Sequence, residues 1–141
     1  MNGPPSPRLP CSVRGKVLVV DDDPVVLQVI QERLEQAGYG VSTRENALGT
    51  SQWIAAEKPD LVLLDVRMPA LSGGELAQMI RRSSQISRTG VIFCSSLEEE
   101  ALAQLLTSTG ALGAIPKSYD ARRFIAAFER FASRHKALQM R

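Results

Sequence analysis

The run Leu61-Val62-Leu63-Leu64-Asp65-Val66-Arg67-Met68-Pro69 constrains this chain more than any other stretch. Four consecutive apolar residues leave no polar face, so they read as a strand covered on both sides, as in the interior of a parallel sheet. Pro69 cannot donate to a ladder and stops the strand. Asp65 therefore falls at the C-terminal end of a buried strand, where open parallel α/β sheets keep their ligand and reaction sites. Taken alone, Asp65 has a lesser alternative reading, a carboxylate that merely caps a loop. Whether other strands end in the same way decides between the two.

They do. Lys16-Val17-Leu18-Val19-Val20 is a second apolar strand and runs into Asp21-Asp22-Asp23-Pro24. Asp23 before Pro24 is a helix start, with Asp as N-cap and Pro in the first turn. Val26, Ile30, Leu34 and Ala37 then share one helical face, and Gly38 ends that helix. Val41-Ser42-Thr43 is a short strand. A helix from about Asn46 to Glu57 follows, weakened by Gly49, Thr50 and Ser51, with Trp53 and Ile54 expected to anchor it to the sheet. Beyond the Asp65 strand, Ser72-Gly73-Gly74-Glu75 fits a capping box, and Leu76, Met79 and Ile80 form the stripe of a third helix. Val91-Ile92-Phe93-Cys94 is a buried strand ending in Ser95-Ser96. The helix opened by Ser96-Leu97-Glu98-Glu99 runs through Leu102, Leu105 and Leu106 to Gly110. Ala114-Ile115 is a short strand ending at Pro116-Lys117. Asp120 caps a last helix whose Phe124, Phe128 and Phe131 recur at core spacing. Five βα units in alternation predict a doubly wound α/β sandwich, a parallel sheet with helices on both faces and right-handed crossovers.

Composition narrows the function classes. A chain of 141 residues is one domain by length, with ordinary contents of 44% apolar and 23% charged residues. No apolar run reaches the roughly 18 residues of a membrane span, and no signal peptide is evident. Cys11 lies in a Pro-rich stretch and Cys94 in a buried strand, so no structural disulfide is expected. With His135 the single histidine, no His/Cys metal cluster can form. A reducing cytoplasm is the expected location. Residues 1–14, with Gly3, Pro4, Pro5, Pro7 and Pro10, read as a disordered arm, 15–135 as the folded domain and 136–141 as a basic tail. Charge is uneven: residues 1–120 carry 11 basic and 14 acidic groups, and 121–141 carry 6 and 1. No nucleic-acid recognition motif accompanies the basic end, which reads as a solvated helix face.

The strand ends bring Asp21, Asp22, Asp65, Ser95 and Lys117 to one rim. Three carboxylates that close must take up protons or hold a cation. A hard divalent ion with oxygen ligands answers this, and Mg²⁺ suits a site left open to water and a phosphoryl group. Lys117 can neutralise a further anion.

From about Gly15 to His135 the chain resembles a response-regulator receiver domain of two-component signalling. The resemblance is carried by the acidic pair after the first strand, Asp65 with Met68-Pro69 and Gly73 behind it, Ser95 after the fourth strand and Lys117 after the fifth. It implies a flavodoxin-like fold with strand order 2-1-3-4-5. It also implies Asp65 as the phosphoacceptor, attacking a phosphohistidine or small acyl phosphate. Asp22 and Asp65 would then be direct Mg²⁺ ligands, with the Arg67 carbonyl as a third and Asp21 acting through water. Ser95 and Lys117 would grip the phosphoryl oxygens. The implied partners are a sensor histidine kinase or phosphotransfer protein and a downstream protein target, with homodimerisation possible. The chain would act as no enzyme beyond phosphoryl transfer to and from its own Asp65. With no room for an output domain in the sequence as given, signalling by docking is expected.

Two positions depart from the family pattern. Ala114 stands where an aromatic residue usually precedes the lysine by three, and Ser118 stands where Pro usually follows it. A trans Lys117–Ser118 peptide is expected, because a cis bond before a non-proline residue costs about 2.5–4 kcal/mol. Rival classes fit less well. An FMN binder needs Ser, Thr and Gly in its first phosphate loop, where this chain has three aspartates. A dehalogenase-type phosphatase needs a second acid where Arg67 stands. The alternative is a phosphorylation-independent pseudo-receiver acting as an interaction module, although such proteins usually lose an acid or the lysine.

Overall fold

The structure, a computed structural model, describes residues 14–46, 48–65, 88–96, 103–104, 106–107 and 109–139. Five strands form one parallel sheet: β1 (Lys16–Val20), β2 (Gly40–Arg44), β3 (Leu61–Asp65), β4 (Gly90–Ser95) and β5 (Gly113–Pro116). Their order is β2-β1-β3-β4-β5, as the resemblance implies. The reversal of winding between β1 and β3 is where open α/β sheets leave a crevice at the carboxyl edge.

Alternation along each strand sends side chains to two cores. Val17, Val19, Leu61, Leu63, Ile92, Cys94 and Ile115 face α1 (Pro24–Gln36) and the C-terminal helix (Ala121–Gln139). Leu18, Val20, Val62, Leu64, Val91 and Phe93 face the other way, onto Ile54 of α2 (Thr50–Glu57) and Leu106. With both faces covered, β3 has no solvent-facing residue. This explains the unbroken apolar run in its sequence.

Helix ends follow the expected chemistry in α1. Asp23 Oδ1 accepts from Val25 N–H at 2.9 Å, and Pro24 occupies the first turn. Gly38, at φ 101°, lets Gly38 N–H reach Glu35 O and Tyr39 N–H reach Leu34 O, both at 3.0 Å. The buried stripe is Leu27, Ile30 and Leu34, with Val26 and Ala37 at its margin. Gly110, at φ 71°, closes the helical segment before β5, its N–H bonding to Leu106 O at 2.9 Å. The C-terminal helix buries Phe124, Phe128 and Phe131 as predicted and continues to Gln139. The helix predicted after Ser72 lies outside the described residues, as do the Pro-rich arm and Leu97, Leu102 and Leu105.

Around α2 the expectation fails in two respects. The helix starts at Thr50 rather than near Asn46, because Asn46 Oδ1 accepts from Leu48 N–H at 2.8 Å and Gly49 is left-handed at φ 80°. The side chain of Asn46 thus competes with helical hydrogen bonding and wins. Ile54 anchors the helix to the sheet, with Thr50 buried and Ala55 packed beside it. Trp53 remains 44% exposed, and its ring lies beneath the Arg44 guanidinium at 3.6 Å. Arg44 also pairs with Glu57 at 2.8 Å, so α2 is fastened to the edge strand by polar contacts.

Gly113 is the most tightly enclosed of the described glycines: a Cβ there would fall well inside van der Waals contact with the Phe131 ring. Gly113→Ala is expected to cost about 1–3 kcal/mol of stability by overpacking. Adding Phe131→Leu should recover part of it, a coupling that urea denaturation of the double-mutant cycle would measure.

Candidate functional site

Each predicted site residue in the described region occupies a strand end. Asp21 extends β1 by one ladder bond, its N–H donating to Arg44 O at 3.1 Å. Its carboxylate is buried, and Oδ1 accepts from Asp23 N–H at 2.9 Å. Asp22, next in the chain, is exposed. Asp65 closes β3 in register with Cys94, and both Asp65 and Ser95 are buried. Ser95 therefore stands one residue further out on the neighbouring strand. Lys117 follows β5, fixed by its N–H donating to Ser95 O at 2.9 Å.

The side chains converge. Carboxylate oxygens of Asp21, Asp22 and Asp65 lie within 4.8 Å of one another. Lys117 Nζ stands 3.1 Å from Asp21 Oδ2 and 3.3 Å from Asp65 Oδ1, so one ammonium bridges two buried acids. The contact to Asp21 Oδ2 has ion-pair distance without hydrogen-bond alignment, and that buried oxygen receives no hydrogen bond. Arg67 lies outside the described residues. The Lys117–Ser118 peptide is trans, as expected.

Electrostatics follow from this crowding. Burial pushes the Asp21 carboxyl above the usual range; the Asp23 N–H and Lys117 work against that, and Asp65 adds to it. Burial also works against the Lys117 ammonium, but Asp21 and Asp65 outweigh it and hold its pKa above the ordinary value. Lys117 is thus a permanent cation. Cys94, on the same edge, is pushed up to about 12 by burial and stays a thiol.

The donor set fits Mg²⁺. Three carboxylates face one ammonium, which leaves a surplus of negative charge, and a buried oxygen with no hydrogen bond is available as a ligand. All the candidate donors are hard oxygens, and Asp22 keeps the site open to water.

Two features escaped the sequence. Arg33 of α1 donates to Tyr119 O at 3.2 Å and so pins the turn that carries Lys117. No pattern links an arginine in α1 to a carbonyl 86 residues away. Ala114 is half-buried, in register with Phe93 and packed against the cluster that includes Ile54 of α2, so the place of the missing aromatic lies on the α2 side of the sheet.

In EDTA, Asp21→Asn should raise the urea midpoint at pH 7, because it removes a charge that the fold disfavours. A raised folded pKa gives stability that is present at acid pH and lost as pH rises through the carboxylate range. The advantage of the variant should therefore shrink towards pH 4, and paired denaturation curves at the two pH values would show it.

Comparison with known proteins accords with this geometry. The model of the response regulator receiver domain family matches residues 17–129. The DNA-binding transcriptional regulator NtrC of Escherichia coli is 31% identical over 126 residues, which are 89% of this chain and 26% of that protein. The phosphate regulon transcriptional regulatory protein PhoB of Pseudomonas aeruginosa is 33% identical over 110 residues, 78% of this chain and 48% of that protein. The chain thus spans about a quarter to a half of these relatives. Among solved structures, the chemotaxis response regulator CheY4 of Vibrio cholerae superposes with a TM-score of 0.76 at 26% identity, covering 82% of this chain and 97% of that one. With the sheet order, the acidic edge and the family match in agreement, the chain belongs to the response regulator receiver domain family of two-component signal transduction.

Proposed function

We propose that Asp65 is the phosphoacceptor of this receiver domain, charged by a sensor histidine kinase or phosphotransfer protein. The observation that carries the reading is the single ammonium of Lys117 bridging Asp21 and Asp65 at adjacent buried strand ends. A carboxylate oxygen of Asp65 attacks the phosphorus of a phosphohistidine; the new O–P bond forms as the P–N bond breaks, and the electron pair leaves with the imidazole nitrogen. Lys117, held as a cation, turns from its carboxylates to the incoming phosphoryl oxygens. The Ser95 hydroxyl, one strand over, donates to another. Asp21, Asp22 and Asp65, with the Arg67 carbonyl, would hold Mg²⁺, Asp21 through water. Bound there, the ion supplies the positive charge that lets a phosphoryl group approach three acids.

The domain in this reading spans 15–135, works in the cytoplasm and signals by docking to a protein target or to a second copy. Incubation with acetyl phosphate and Mg²⁺ should add one phosphoryl group by intact mass, and Asp65→Asn should add none. A phosphorylated Asp65→Asn protein would mean that the acceptor lies elsewhere. No gain in the wild type would leave the docking-only module.

Output should depart from the family habit at Ala114. A methyl group has no rotamer that can turn into space vacated by a moving Ser95. Amide shifts with a beryllofluoride phosphoryl mimic are therefore expected around residues 95–102, with 112–125 changing little. Ala114→Tyr should spread the shifts into β5 and the C-terminal helix. The reverse distribution in the wild type would show that the signal leaves through β5.

A further inference from the structure

We infer that the opposite edge of the sheet carries a second binding site, for a small ligand bearing two or more phosphoryl groups. The N-terminal ends of β1 and β3, the residues just before β4 and the last turns of the C-terminal helix enclose a cleft of about 750 Å³. That volume lies within the range of small-molecule sites. Arg14, Lys16, Lys58, Arg88 and Lys136 line it, against two carboxylates, Asp60 and Glu129. The cleft thus holds a surplus of three positive charges in a protein whose net charge is +2.

Both carboxylates are already engaged in holding the fold. Glu129 pairs with Arg14, which also donates to Ala37 O and lies over the Tyr39 ring. Asp60 Oδ2 accepts from the Lys16 N–H at 2.8 Å. Among the described residues, no carboxylate lies within ion-pair distance of Lys16, Lys58, Arg88 or Lys136. Four exposed cations thus line this concavity, while its two acids already pair or accept hydrogen bonds. Such a lining attracts an anion.

Lys58 adds an independent sign. It caps α2 in the left-handed conformation, at φ 52° and ψ 55°, and is the one described non-glycine residue with positive φ. Helices commonly put glycine at such a position because a Cβ is strained there. A lysine in its place bears that strain and lines the cleft.

Shape and charge together select the ligand. Arg88 offers a planar fork suited to two phosphoryl oxygens, and the three lysines are point charges for others. Several separated cations call for more than one phosphoryl group. Pro59, Ile54 and Ala132 give apolar wall for an organic body. A nucleic-acid duplex presents its phosphates on a convex surface, which a cleft does not receive. An acidic protein would need about 800 Å² of contact, more than this concavity supplies. The site lies at the far end of the strands from Asp65 and stands whether or not Asp65 accepts phosphate.

Titration of the full chain with pyrophosphate and with ATP, in EDTA, would test this from the amide resonances of Gly15, Gly90 and His135. Saturable shifts are expected there, with Ser95 and Lys117 unmoved, affinity falling as salt rises, and inorganic phosphate at least about tenfold weaker. The pair Lys16→Gln and Arg88→Gln should weaken binding about tenfold or more. Lys58→Gly relieves the left-handed strain, so it should raise the thermal midpoint while weakening binding severalfold, a loss that unfolding cannot explain. The inference is overturned by absent saturation, by phosphate and pyrophosphate binding alike, by unchanged affinity in these variants, or by poly-glutamate moving the resonances where pyrophosphate does not.

Discussion

The rest of the structure depends on one electrostatic constraint: two buried carboxylates share the Lys117 ammonium, and a third carboxylate lies beside them. Left to water, Asp21, Asp22 and Asp65 would separate. They stay together because β1 and β3 are neighbours in a ladder that fixes where each strand ends. The register pairs Val20 with Leu64, so Asp21 and Asp65 leave the sheet side by side. Placement of these charges is thus a consequence of backbone hydrogen bonds and apolar packing several residues away. Burial holds the Asp21 carboxyl above the usual range, so the fold works against that charge.

Such a site requires a rigid support, and the two cores provide it. β1 and β3 are central strands with apolar residues on both faces, and their shift by even one residue would exchange the faces. The aromatic stripe of the C-terminal helix fills one side: Phe124 stacks with Phe128, and Tyr39 meets Phe128 edge to face. Arg33 ties α1 to the turn after Lys117. The backbone that carries the bridging ammonium is therefore held to the neighbouring strand at Ser95 and to α1 through Tyr119. The phosphoryl transfer proposed for Asp65 asks for positioning and charge neutralisation more than for covalent chemistry, and positioning is what such a support offers.

The sequence disclosed most of this because the strands are buried on both faces. Runs such as Leu61–Leu64 and Val17–Val20 have no other reading, and a polar residue at the end of each is visible at once. The Phe124–Phe131 stripe was legible for the same reason, since three aromatics on one face must be covered. What failed was local and polar. Asn46 and Gly49 displaced the start of α2, and Arg44 drew Trp53 outwards by stacking on it. These are contests between hydrogen bonds and cation–π contacts of similar size, which periodicity does not register. The cleft was hidden for another reason. Its basic residues, at 14, 16, 58, 88 and 136, come from five separate parts of the chain and form no motif.

The two edges of the sheet carry opposite charge, and the same strands join them. Lys16 begins the strand that leads to Asp21, and Asp60 directly precedes the strand that ends at Asp65. Five residues of strand separate the ends by about 17 Å. At an effective dielectric of about 20, two unit charges at that distance interact by only about 1 kcal/mol, and ionic screening reduces this further. Stiff, doubly buried strands also offer no second arrangement through which one end could move the other. Charge added at Asp65 therefore reaches the basic edge as a weak field rather than as a conformational change. A strong response to the phosphorylation proposed for Asp65 must pass through the loops at the carboxyl edge itself, where the Lys117 N–H donates to Ser95 O.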